Sequence, residues 1–143
     1  MGLTHYWRRP PRLPTAMFCA AVEDVRRILS TVAIKLAGRD GTGEPILLDS
    51  RISFNGRTPL ACEAFEIASS EWDRLGNPEV TSFCKTGGLP YDLCVKAALI
   101  ILNHHLHQHL SVASDQAIDG WHSARDIVQV TLGYVPTFAL STV

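Results

Sequence analysis

The chain has 143 residues, 46% of them hydrophobic and 19% charged, with a formal net charge of −1. That length holds one ordinary domain with a core needing no staples, and the composition excludes a disordered chain. The charge is unevenly spread, since residues 1–40 carry seven Lys/Arg against three Asp/Glu and residues 41–143 carry six against eleven.

Residues 1–14 read as an extended arm rich in Pro and Arg. Pro10, Pro11 and Pro14 lack amide donors and hold φ at about −65°. Arg8, Arg9 and Arg12 are its nucleic-acid-binding candidates, and a solvated extension is the plainer alternative. The apolar run after Arg8-Arg9 is too short for a twin-arginine signal. Tyr6 stands where a myristoylation signal after Gly2 needs Ser or Thr. The expected location is therefore cytoplasmic.

Residues 15–143 read as one α+β domain. Thr15 to Val32 is an amphipathic helix, with Phe18, Val22, Val25, Leu29 and Val32 on one face. Strands are predicted at 33–37, 46–54 and 62–68, with a glycine-rich turn over 38–43 and a hairpin signal at Asn55-Gly56. One helical turn is expected around Trp72 and Leu75, then a short strand over 80–86.

Cys84 in Phe83-Cys84-Lys85-Thr86-Gly87-Gly88 is the one thiol with a reactive setting. Lys85 beside it would lower its pKa, and the glycines would offer amides to an oxyanion. The alternative is a strand-end cysteine entering a glycine turn. Lys85 completes both an S-x-x-K and a K-T-G pattern, but penicillin-recognising enzymes use separate lysines for the two. The four cysteines, Cys19, Cys62, Cys84 and Cys94, form no C-x-x-C pair and read as reduced thiols.

Pro90-Tyr91-Asp92 opens the central helix. Leu93 to Leu102 is apolar on every face, interrupted only by Lys96, so it must be enclosed by protein or lipid. Its length of about ten residues falls well short of a bilayer's width, so protein encloses it and no membrane insertion is expected. Asp92 reads as a helix-start residue complementing the positive helix end.

His104, His105, His107 and His109 follow. On a continuing helix His105 and His109 lie four apart and His104 and His107 three apart, each a spacing that can share a metal. With Asp115, Asp119 and His122 they are candidates for a site of two histidines and a carboxylate. Zinc or another divalent metal there would serve a small hydrolase. The plainer reading is histidines donating to the last helical carbonyls, with no cofactor. A short strand over 111–115 and a last helix ending at Gly133 complete the chain. No G-x-S-x-G elbow marks a catalytic serine.

The predicted fold is thus a small, mainly antiparallel sheet of three to five strands against a buried central helix and two amphipathic helices. Ile52-Ser53-Phe54-Asn55-Gly56, Phe83-Cys84-Lys85-Thr86 with Pro90-Tyr91-Asp92, and Ser114-Asp115 with Gly120-Trp121 and Leu132-Gly133-Tyr134 form a recognisable set. Over residues 30–135 the chain resembles short uncharacterised proteins of bacteriophages and prophages. The resemblance carries no activity and no catalytic residue. It implies a mobile-element accessory protein that binds a macromolecular partner, protein or nucleic acid, and a homodimer is a further expectation.

Overall fold

The computed structural model describes residues 2–134 and 137–142. Its centre is the helix α2 (Asp92–Leu106), in which Cys94, Val95 and every residue from Ala97 to Leu102 are buried. A helix apolar all round needs cover on every side. α1 (Thr15–Thr31) and α3 (His122–Leu132) pack along it, and the strands close the remainder. The outer helices show the expected stripes: Phe18, Val22, Val25 and Ile28 on α1, Ala124 and Val128 on α3. Among the described residues no helix is long and apolar enough to cross a membrane.

Seven antiparallel strands form two small sheets. In the first, β1 (Thr4–Arg9) lies between β6 (Val80–Lys85) and β7 (Ser111–Ser114). In the second, β4 (Arg51–Gly56) pairs with β5 (Phe65–Ala68) and with two short strands, β2 (Leu36–Ala37) and β3 (Ile46–Leu48). The α+β class and the antiparallel sheet are as the sequence predicts, but the strands divide into sheets of three and four.

The first segment is corrected. It is extended, but residues 4–9 are the middle strand of a sheet rather than an arm. His5, Trp7 and Arg9 point inward and alternate with Tyr6 and Arg8. Pro10 and Pro11, which cannot donate to a ladder, end the strand.

Asn55-Gly56 is also not a hairpin turn. Both residues finish β4, and Asn55 Nδ2 donates to the carbonyls of Arg39 and Cys62 at 3.0 and 2.9 Å. Gly56 is required for another reason: a Cβ there would lie 2.1 Å from the Leu60 carbonyl oxygen.

α2 stops at Leu106 because His107 turns to φ 50°, ψ −120°, a conformation that L side chains rarely adopt. Its N–H caps the Asn103 carbonyl, and Asn103 Nδ2 binds the Leu110 carbonyl at 2.8 Å. Replacing His107 by Gly removes the Cβ conflict, so it is expected to raise stability by about 1 kcal/mol. Chemical denaturation of His107→Gly beside the wild type checks this; a loss of stability would mean the imidazole outweighs the backbone strain.

Candidate functional site

The first turn of α2 places a carboxylate and an ammonium inside the protein. Asp92 and Lys96 are four residues apart on one helix face, with Lys96 Nζ 2.9 Å from Asp92 Oδ2. Lys96 also donates to the Gly120 carbonyl at 2.8 Å and sits over the Trp121 ring. The other Asp92 oxygen accepts from Thr86 Oγ1 at 2.5 Å and lies 2.7 Å from His5 Nε2. His5 Nδ1 is 2.8 Å from Ser114 Oγ. In the neutral imidazole the carboxylate keeps the proton on Nε2, so Nδ1 accepts the Ser114 hydroxyl proton. Burial disfavours the Asp92 anion, but the hydrogen bonds from His5, Thr86 and Lys96 outweigh it and bring its pKa down to about 2.

Local spacing assigns Asp92 a helix-start role and gives His5, Thr86 and Ser114 no part in a site. One signal was present: Lys96 is the lone cation in an apolar helix, and a buried cation requires a partner. Asp92, one turn earlier, is that partner.

The thiol candidate meets a different environment from the expected one. Consecutive strand residues face opposite sides, so Lys85 is exposed while Cys84 is buried against the Glu63 carbonyl at 3.4 Å. Burial, then neighbouring carboxylates, push the Cys84 thiol pKa well up. The glycine amides are engaged too: Gly87 N–H donates to the Leu3 carbonyl and Gly88 N–H to Thr86 Oγ1. All four cysteines are free.

The histidines do not share one helical face, because the helix ends before His107. His105 Nε2 is 2.7 Å from Asp24 Oδ2, which also accepts from Tyr134 at 3.2 Å. His104 stacks on Tyr134, and burial followed by the charges of His105 and His107 lowers its pKa. His109 lies beyond the turn. Asp115 accepts from the Thr4 N–H and the Tyr6 hydroxyl, both at 3.1 Å. Asp119 and His122 form an exposed pair at 3.8 Å. Among the described residues no three His, Cys, Asp or Glu side chains are grouped to hold a metal.

The three arginines also separate. Arg8 and Arg12 are exposed, and Arg12 lies over the Trp72 ring. Arg9 is only 1% exposed. Its guanidinium donates to the carbonyls of Pro10, Pro11, Ala68 and Ser69 and to Glu71 Oε2, which occupies all five donors. It is therefore not available to phosphate.

Arg9 stands at one end of an open seam. Among the described residues β5 has β4 as its only ladder partner and β6 has β1, so each is the edge of its sheet. The segment leading into β5 meets the end of β6 where Glu63 N–H donates to the Lys85 carbonyl at 3.0 Å. Beyond that they leave a groove of about 530 Å³, lined by Trp7, Ile67, Thr81, Ser82 and Phe83 among others. Phe83 is 61% exposed, and the loop joining the two strands carries Trp72 at 69% and Leu75 at 87%. Comparison with protein-family models, curated proteins and solved structures finds no match to this chain.

The Asp92 network has a pH signature. Because the folded pKa lies below the ordinary value of 3.8, the stabilisation is complete above that pH and is lost as pH falls toward 2. The amount is about 2 kcal/mol. Asp92→Asn strands the Lys96 ammonium and is expected to cost about 3 kcal/mol at pH 7. The Asn variant should also lack the acid step. Urea unfolding of both proteins across pH 2–7 measures this, and parallel pH profiles would assign the acid sensitivity to other carboxylates.

Proposed function

We propose that this chain is a non-enzymatic accessory protein that binds a macromolecular partner. The observation carrying the reading is the seam between the sheets, a groove bordered by exposed Phe83 with exposed Trp72 and Leu75 on its connecting loop. Exposed aromatic side chains beside a concave surface are the usual anchors of protein recognition. The buried ionic network instead occupies its hydrogen-bonding capacity internally. The phage-like resemblance supplies the context, an accessory protein of a mobile element working in the cytoplasm.

The expected partner contact is testable without knowing the partner. Cross-linking in cells that carry the protein should join one partner to residues 69–83. Trp72→Ser and Phe83→Ser should leave stability within about 0.5 kcal/mol of wild type, since neither side chain is core. Each should weaken the isolated complex by more than about tenfold. Cross-links falling elsewhere, or full binding by both variants, would remove the seam as the recognition surface.

A second reading has one observation behind it, the hydrogen-bond chain Ser114–His5–Asp92. That order of groups is the order in which a base-assisted serine nucleophile is built. Against it, Ser114 Oγ also accepts the Gln116 N–H at 3.0 Å, and Ser114 does not line the groove. A fluorophosphonate probe separates the readings. No adduct on Ser114 is expected, while a stoichiometric adduct missing from Ser114→Ala would make the chain a serine hydrolase.

A further inference from the structure

We infer that the seam between β5 and β6 binds an extended peptide segment of a partner protein, which adds as a strand to the open edges. This rests on the partner-binding reading above and names the chemistry of what is bound.

The backbone of the seam fixes the ligand class. Lys85 directs its carbonyl to the Glu63 N–H, and its own N–H to Glu63 Oε1 at 2.8 Å, so its polar groups face away from β1. In an antiparallel ladder this alternates with period two, so the N–H and C=O of Thr81 and Phe83 face the same way. On β5, the Ala68 N–H donates to Glu71 and its carbonyl accepts from Arg9, so Ala68 faces away from β4. By the same alternation Glu66 does too. Three residues on facing edges thus present backbone donors and acceptors that no ladder uses.

The charged groups lining the groove are engaged in ion pairs, Arg51 with Glu66 at 2.8 Å and Glu71 with Arg9 at 3.0 Å. Beside these pairs the groove offers neutral groups: the strand edges, the hydroxyls of Ser70, Thr81 and Ser82, and the ring of Phe83. The ring of Trp7, 1% exposed, forms part of the groove's lining and adds apolar surface beside the strand edges. Alternating donors and acceptors beside an apolar ring match an extended main chain, as in strand addition to other exposed edges.

The probe is a displayed library of random peptides of about ten residues. Enriched sequences are then made as synthetic peptides and measured by fluorescence polarisation on the full chain. An enriched peptide is expected to bind and to slow amide exchange at Glu66, Thr81 and Phe83. Thr81→Pro deletes a seam-facing N–H that no ladder uses, so the fold should tolerate it. It should weaken peptide binding about tenfold, whereas Thr81→Val, which keeps the N–H, should not.

Failure of the library, or a bound peptide that leaves those amides unprotected, overturns the strand-addition assignment. If cross-links still reach Trp72 and Phe83 in that case, partner binding stands and only its mode is wrong. A concentration-dependent dimer that Thr81→Pro abolishes would make a second copy the occupant and overturn the peptide. Should Thr81→Pro fail to fold, amide exchange on the unaltered chain decides the matter.

Discussion

The carboxylate of Asp92 is the constraint on which the rest of the structure turns. It sits at the start of a helix whose other faces are apolar, and a charge there persists only if every lone pair finds a donor. Those donors come from β1 (His5), the segment after β6 (Thr86) and α2 itself (Lys96). Lys96 then reaches the Gly120 carbonyl, and His5 reaches Ser114 at the end of β7. One buried anion thereby sets the position of α2 against the first sheet and against the turn that leads into α3. A purely apolar contact would permit sliding along the helix; the directional bonds permit one register.

Arg9 does the equivalent work at the opposite end of β1. It ties the end of β1 to the carbonyls of Ala68 and Ser69 and to Glu71, just past β5, and so links the two sheets where no strand ladder does. Burial lowers the guanidinium's pKa and the Glu71 charge opposes that shift. The first strand therefore carries a buried polar side chain near each end, with Trp7 between them packed on Phe65 at 5.1 Å. This is why a segment that looks like a solvated arm is instead central. Its inward residues are His5, Trp7 and Arg9, and two of these three are polar, so the alternation of a half-buried strand is invisible to a hydrophobicity pattern.

What the sequence makes legible follows the same division. α1 rests on apolar periodicity, the body of α2 on an unbroken apolar run and the stop of α3 on a left-handed cap at Gly133, φ 82°, and these appear where the pattern places them. β1 and the Asp92 network rest on polar side chains with distant partners, His5 and Ser114 being 109 residues apart, which local spacing cannot reveal. The histidine run fails as a unit for a local reason of another kind. Treating it as helical assumes that α2 continues, whereas the backbone reverses at His107 and sends His105 toward Asp24 and His109 away. Cys84 and Lys85 are separated by the strand period itself, adjacent in sequence and on opposite faces of β6.

The two edges of the seam do not join in one ladder. Closure is resisted at one end by the Arg9 guanidinium, which occupies the Ala68 carbonyl that β6 would need. At the other end the Glu63 carboxylate caps the Lys85 N–H and ends the edge there. β5 is only four residues long, so the free edge offers few bonds to a random partner. Short edges held apart by a buried ion pair are a weak template for aggregation. The buried Arg9 that the apolar core tolerates at such cost thus also holds one end of the seam in place.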